Sequence, residues 1–288
     1  MTPVRGLVIA RLVIREAARR RLLLALLVLT LVVIALTGWG FSRIPTITQR
    51  GAPLPDLQVK LLASQFLIVT MFMFSFVLAM AAVFVASPQI SGDVESGTAL
   101  AILSRPIGRA EFVGGKWLGL AALVTIYAGS AAAIELGVVN AVVGYVPPEP
   151  LSFIAFVIAE GLVIMTFALL LSTRLSGMVG GVIALVLFGI AWIGGIVGGI
   201  GVAFDNAGIT HVGTATKLIL PTDGLWRGAV YALEPQAFVA SGSQAGPAAA
   251  ANPFYASAAA PLSFELYVAG WMVLVFALAV ISFRAREA

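Results

Sequence analysis

Cysteine is absent from this chain of 288 residues, and histidine occurs once, at His211. The lack of cysteine excludes disulfides, thiolate metal sites and cysteine nucleophiles. A single histidine excludes a histidine metal cluster and the paired histidines of an HExxH site. Both absences argue against direct metal handling, and we expect the chain to hold no metal or cofactor.

Sequence signatures of nucleotide binding and serine catalysis are also missing. Gly114-Gly115-Lys116 is similar to the end of a phosphate-binding loop. However, Ala110 stands where the first glycine of that loop is needed, and Trp117 replaces the Ser or Thr that would bind magnesium. The chain contains no GxSxG sequence for a serine nucleophile. We therefore expect a protein that is not itself an enzyme.

Charge is scarce in this sequence, with 10% charged and 60% hydrophobic residues, whereas soluble domains have about 25% and about 45–50%. Six apolar segments are long enough to cross a membrane, at residues 22–41, 61–86, 117–139, 151–171, 177–202 and 264–283. The first is longer than the apolar core of a signal peptide, about 7–15 residues, so we expect it to be retained. The sequence predicts a single-domain, all-α polytopic membrane protein with six transmembrane helices.

The distribution of lysine and arginine predicts the orientation in the membrane. Twelve of the 17 lie within residues 1–21, 87–116, 172–176 and 284–288, and five lie in the other connections. Cytoplasmic loops carry the excess of these residues, so both termini are predicted to be cytoplasmic. Residues 204–263 then form an external segment between spans five and six. The modest net charge of +4 gives no indication of nucleic-acid binding.

The N-terminal residues 1–21 have an amphipathic pattern. Leu7, Ala10, Ile14 and Ala17 fall on one helical face, while Arg11, Arg15 and Arg19 fall on another. This pattern predicts a helix on the cytoplasmic membrane surface, attracted by anionic lipid. The alternative is a basic anchor that only fixes the orientation of the first span.

Two further features concern the fifth span and the segment after it. Small residues repeat at four-residue spacing, as in Gly194 and Gly198, and this repeat favours a closely packed helix or, alternatively, a dimer face.

Residues 220–233 are predicted to form a short interfacial helix with Trp226 at headgroup depth. The tract 241–261 is dominated by Ala, Gly, Ser and Pro, and we expect it to be flexible.

Residues 87–116, called here the polar segment, separate the second and third apolar runs and carry charges of both signs. The charged residues are Asp93, Glu95, Arg105, Arg109, Glu111 and Lys116. Ser87-Pro88 is typical of a helix start, and Gly97 of a left-handed helix stop. Gly108 with Glu111 predicts the start of a helix that runs into the third span, placing Lys116 at the interface. These signals predict short helices held against the membrane, because the charges cannot lie in hydrocarbon.

This segment resembles the cytoplasmic segment between the second and third spans of ABC exporter permeases of the ABC-2 type. The matching residues are Glu95, Gly97, Thr98, Leu103, Ser104, Pro106, Arg109, Gly115 and Lys116. The resemblance implies the permease subunit of an ATP-driven exporter in a bacterial or archaeal inner membrane. It also implies a dimer of this chain, or a pseudo-dimer with a related permease, docked on separate ATP-binding cassette ATPase subunits. The implied ATPase-coupling residues are Asp93, Glu95, Gly97, Thr98, Arg105, Pro106 and Arg109. An ordinary polar loop is the alternative interpretation.

Glu160 is an ionisable residue about nine positions into the fourth span, where such groups are usually functional or paired. It could line a translocation path or relay protons, or its carboxyl could be hydrogen-bonded to a neighbouring helix. Glu135 lies near the outer end of the third span, where it can more easily snorkel to the interface, so it ranks below Glu160 as a functional candidate. Two other functions stay open: a stand-alone secondary transporter using Glu160, and a membrane scaffold without transport. The sequence does not predict the substrate.

Overall fold

Long α-helices make up most of the protein, whose computed structural model describes residues 3–18, 21–49, 51–103 and 107–286. The helices are α1 (Pro3–Ala18), α2 (Arg21–Phe41), α3 (Asp56–Ala86), α4 (Pro88–Glu95), α5 (Thr98–Leu103), α6 (Arg109–Val143), α7 (Pro150–Ser172), α8 (Gly177–Ala203), α9 (Ala207–Ile219), α10 (Thr222–Leu233), α11 (Gln236–Gly242) and α12 (Leu262–Arg284). Short 3-10 helices cover Ile44–Thr46 and Ser243–Ala251, and strands β1 (Thr48–Gln49) and β2 (Ala52–Pro53) form a small antiparallel hairpin.

Six of these helices, α2, α3, α6, α7, α8 and α12, are long and apolar enough to cross a membrane. They coincide with the six predicted spans, so the prediction of an all-α polytopic membrane protein is confirmed. The predicted start of α6 is also correct: the backbone N–H of Gly108 donates to the Glu111 Oε2 at 3.2 Å. Gly144, with a left-handed φ of 66°, ends this helix. The helix that begins at the end of the polar segment therefore runs without a break into the third span.

The helices α3 and α7 form the centre of the bundle. Leu67 and Leu78 of α3 and Ile164 and Leu169 of α7 are almost fully buried. In contrast, α2 lies at the periphery, and its Leu24 is 62% exposed. Large apolar side chains are exposed on α8 and α12 as well. Such surfaces fit hydrocarbon or a second membrane protein.

The N-terminal helix α1 packs along the first half of α6. A Cβ atom on Gly115 would lie 2.8 Å from the Gly6 carbonyl oxygen, and one on Gly119 would lie 2.8 Å from that of Ala10. These glycines let the two backbones approach closely. The buried face of α1 consists of Ile9, Ala10, Val13 and Ala17. Contact with α6 selects the side of α1 that is buried, whereas Leu7 of the predicted apolar face is 61% exposed. The position of α1 on the membrane surface stays a prediction.

After α8, the chain turns back and follows α8 in the opposite direction. The side chain of Asn206 caps α9 by accepting a hydrogen bond from the Ile209 N–H at 3.1 Å. Thr210 then lies against Gly201, Gly213 against Gly198 and Thr216 against Gly194. The glycine face of α8 is therefore covered by α9 of the same chain. This occupation contradicts the alternative that the face pairs with a second copy.

The helices α9 and α10 form a hairpin, residues 207–233, that returns into the bundle. At its tip, the Ile219 carbonyl accepts a hydrogen bond from the Trp271 Nε1 at 3.1 Å. Trp271 lies nine residues after the start of α12, about 14 Å along its axis. From the tip, α10 runs back along α7. At the end of α10, the Ala232 carbonyl accepts a hydrogen bond from the Glu149 N–H at 3.2 Å. The tip thus reaches roughly half-way along the spans.

This hairpin corrects the prediction of an interfacial helix over residues 220–233. Trp226 is only 2% exposed, and its ring centroid lies 5.5 Å from that of Phe72 in the middle of α3. Its indole N–H donates to the Pro253 carbonyl. A polar stretch can enter the bundle because surrounding protein, and not lipid, receives its polar groups.

The close contact between α8 and the hairpin gives the first prediction. A Cβ atom on Gly195 would lie 2.0 Å from the Asp223 Oδ1. We expect Gly195→Ala to lower the unfolding free energy by about 1–3 kcal/mol, because overpacking must displace the hairpin. Gly189→Ala is the control, since a Cβ there meets nothing within 4 Å. Thermal unfolding of the purified variants measures the difference, and equal stabilities would contradict the observed packing.

Candidate functional site: the polar segment and the buried carboxylates

The start of α4 is fixed to the turn between α7 and α8. The Ser172 Oγ accepts hydrogen bonds from the backbone N–H groups of Ile90 and Ser91 at 3.0 Å and 3.1 Å. Ser172 is fully buried. A Cβ atom on Gly177 of α8 would lie 3.1 Å from the Pro88 Cα. The beginning of α4 is therefore held by two neighbouring spans.

A buried ion pair joins the middle of α4 to α6. The Lys116 Nζ lies 2.7 Å from the Asp93 Oδ2, and these side chains are 6% and 18% exposed. The same ammonium donates to the Gln89 Oε1 at 3.2 Å. Lys116 is 5% exposed, because its partners on α4 hold the ammonium within the protein, and its position at interface depth stays a prediction. Asp93 is neutralised within the chain and holds α4 to the third span.

The junction of α4 and α5 forms an exposed corner of four residues, 95–98. Gly97 has a left-handed φ of 74°, as its position at the end of α4 predicts. Glu95, Ser96 and Thr98 are exposed, and the Ser96 and Thr98 hydroxyls lie 2.9 Å apart. This corner presents one carboxylate and two hydroxyls away from the spans. Of the four exposed residues described in the polar segment, three belong to this corner, so it is open to a protein partner.

Arg109 ties the polar segment to the end of α12. Its Nη1 donates to the carbonyl oxygens of Arg284 and Arg286 at 2.6 Å and 2.9 Å. The Arg286 side chain in turn donates to the Thr173 carbonyl at 2.8 Å. Arg109 therefore connects three spans at this end of the bundle. The other two predicted coupling residues, Arg105 and Pro106, lie outside the described residues.

Glu160 lies in the middle of α7 and is 3% exposed. Its Oε1 accepts a hydrogen bond from the Ser75 Oγ of α3 at 2.7 Å. This contact matches the alternative in which the carboxyl is hydrogen-bonded to a neighbouring helix. Glu160 also borders a small cavity of about 10 Å³ that Ser75, Thr222 and Asp223 line together with aromatic side chains. Its surroundings are therefore partly polar at the centre of the bundle.

Glu135 does not snorkel, although its position in the sequence allows it. It is 1% exposed, and its Oε1 accepts a hydrogen bond from the Thr37 Oγ1 of α2 at 2.6 Å. The physical reason is the position of α2, whose hydroxyl offers the carboxyl a partner inside the protein. Glu135 joins α2 to α6 and lies apart from the Glu160 cavity.

Asp223 is the functional candidate that sequence reasoning missed. Its side chain has 0% exposure, and its Oδ2 lies 3.2 Å from the Arg227 Nε and 3.4 Å from the Lys217 Nζ. It borders the same cavity as Glu160. Two carboxylates thus meet near the hairpin tip, one on a span and one on the hairpin. The acid and arginine spaced by four residues, at positions 223 and 227, are the sequence signal for this pair.

Glu234 marks the base of the hairpin, where α10 leaves the bundle. Its Oε2 accepts a hydrogen bond from the Ala256 N–H at 3.2 Å. Burial raises the pKa of Glu234 to about 8, although this hydrogen bond acts to lower it. The Tyr145 hydroxyl donates to the neighbouring Leu233 carbonyl. These contacts attach the end of the hairpin to the loop after α6 and to the chain before α12.

Comparison with known proteins identifies the family of this chain. The family model described as ABC-2 family transporter protein matches residues 7–288, nearly the whole chain. No curated protein sequence matches it. Permeases of this family are the membrane components of ABC transporters and work with ATP-binding cassette subunits. With six apolar spans and this match, the chain belongs to the ABC-2 family of transporter proteins and is a membrane permease.

Proposed function

We propose that this chain is the permease subunit of an ATP-driven exporter, and that separate ATPase subunits dock on the corner 95–98. The direction of transport is carried over from the family resemblance. The working unit is a dimer, as the family resemblance implies, and the large apolar side chains exposed on α2 and α8 leave surfaces for a second membrane protein. Light scattering of the purified chain tests the dimer, which requires twice the mass of one chain.

The observation that carries this proposal is the firm attachment of an exposed corner to several spans. The start of α4 bonds to Ser172, and its middle pairs with Lys116. A displacement of the corner therefore moves α6 and α7 together with α3. A partner that pushes on Glu95 or Thr98 can change the arrangement of the spans in this way.

The predicted coupling residues divide into two groups in this proposal. Glu95, Gly97 and Thr98 contact the ATPase, since they form the exposed corner. Asp93 and Arg109 transmit the movement, since they bond within the chain. Arg105 and Pro106 are assigned to coupling by the family resemblance alone.

The coupling proposal predicts that Glu95→Ala weakens ATPase association by about tenfold or more, because a charged hydrogen bond contributes about 1.5–3 kcal/mol. Gly97→Val should uncouple ATP hydrolysis from transport, since a β-branched residue is strained at a positive φ. Recovery of ATPase on the affinity-purified permease, and its stimulation by the permease, are the measurements.

Matched controls exist at the opposite end of the spans. Asp56→Ala removes another exposed acid at the start of α3. Gly51→Val places the same strain at a φ of 82°, where a Cβ meets nothing within 4 Å. Both controls should retain ATPase binding and stimulation. If Glu95→Ala and Gly97→Val behave like their controls, the corner is an ordinary loop.

We further propose that the corner 95–98 is cytoplasmic and that the connection before α12 is external. Because the chain lacks cysteine, single cysteines report orientation without background. Ser96 and Ser257 are both exposed. A membrane-impermeant maleimide should label the Ser257→Cys variant in intact cells and the Ser96→Cys variant only after lysis. The reverse pattern would overturn the orientation, and the parent chain controls for nonspecific labelling.

Glu160 is proposed to lie on the translocation path, supported by its central position beside a partly polar cavity. Glu160→Gln keeps most of the shape and hydrogen bonding while removing the ionisable group. We expect at least about a tenfold fall in the coupled ATPase turnover of the reconstituted complex, equivalent to about 1.4 kcal/mol. The unfolding temperature should stay close to that of the wild type.

Glu135→Gln is the matched control, because Glu135 is also buried and bonded to one hydroxyl. It should leave turnover unchanged. A Glu160→Gln variant that keeps full turnover, or loses it together with its stability, would show that Glu160 has only a structural role.

A further inference from the structure

Two cations of the hairpin, Lys217 on α9 and Arg227 on α10, border the same pair of cavities. One cavity, of about 180 Å³, lies between α8, the hairpin and the 3-10 helix, and it is also lined by Thr210 and Thr214. The other, of about 320 Å³, lies between the hairpin and the start of α12 and is lined by Thr214 and Phe264. Both side chains can thus be reached from two directions.

The charge around these cavities is unbalanced. Asp223 is the carboxylate that contacts both cations, and its side chain has 0% exposure, so it faces the bundle and not the cavities. Among the described residues lining the two cavities there is no Asp or Glu. One carboxylate cannot neutralise two cations. A net positive charge therefore faces both cavities.

Lys217 and Arg227 also have hydrogen-bond donors for a negatively charged group in these cavities. A guanidinium has five N–H groups, and three described hydrogen bonds use Arg227, to the Asp223 Oδ2, the Ala250 carbonyl and the Gly195 carbonyl. The Lys217 ammonium lies 3.4 Å from the Asp223 Oδ2, and the Lys217 side chain is 33% exposed. Both cations can therefore donate to a further acceptor.

We propose that Lys217 and Arg227 bind an oxyanion, a phosphate or carboxylate group, at these cavities. Each cavity is far larger than the about 10–15 Å³ that one water needs, so a polyatomic anion with some of its hydration fits. The planar fork of Arg227 and the point charge of Lys217 are suited to such oxygens. The anionic group belongs either to a lipid headgroup or to a soluble molecule.

The test follows thermal unfolding of the purified permease in two series. Inorganic phosphate replaces chloride at constant ionic strength in the first, and short-chain phosphatidylglycerol replaces short-chain phosphatidylcholine in the second. We expect a saturable rise of the unfolding temperature in at least one series. Stabilisation by inorganic phosphate indicates a soluble ligand, and stabilisation by the anionic lipid alone indicates a headgroup.

Three variants and one control test whether the stabilisation arises from binding at these cavities. Lys217→Gln should weaken the apparent affinity about tenfold, the loss expected for one charged hydrogen bond, and Lys217→Arg should restore it. Thr214→Phe should block binding by filling the cavities without altering charge. Lys60→Gln removes an exposed cation elsewhere and should change nothing. The proposal is overturned if neither series stabilises the wild type, or if Lys217→Gln and Thr214→Phe respond as the wild type does.

Discussion

Hydrocarbon offers no hydrogen bonds, so the polar groups within the spans need partners inside the protein. Glu160 bonds to Ser75, Glu135 to Thr37, and Lys116 to Asp93. Each contact joins two different helices of the bundle. The few polar side chains of this apolar chain therefore fix which helices are neighbours, while apolar packing supplies most of the buried surface.

Close approach of backbones is the second requirement, and glycine provides it at two places. Gly115 and Gly119 receive α1, and the glycines of α8 receive the hairpin. In both cases the partner helix is short and carries polar residues that could not face lipid. Glycine thus allows helices that are too polar or too short to cross the membrane to be buried beside the transmembrane helices.

The spans and the turn at Gly97 could be predicted because each depends on local properties, namely hydropathy and backbone conformation. The contacts of Lys116 with Asp93 and of Glu135 with Thr37 could not, since they join residues distant in sequence. The hairpin was missed because residues 207–233 are too polar to span, and hydropathy does not distinguish exposure to water from burial in protein. For the same reason Asp223 was not recognised beside Glu160.

The translocation path proposed past Glu160 would meet the hairpin on its way toward the end of α8. Near the hairpin tip, Asp223 borders the same cavity as Glu160 and is held by Arg227 and Lys217. Moving the hairpin away from α8 would separate Arg227 from the Gly195 carbonyl and expose the glycine face of α8. In the proposed mechanism, the hairpin would act as a plug that charge pairing holds closed. Work done at the corner 95–98 would have to overcome this pairing before the bundle could open on the hairpin side.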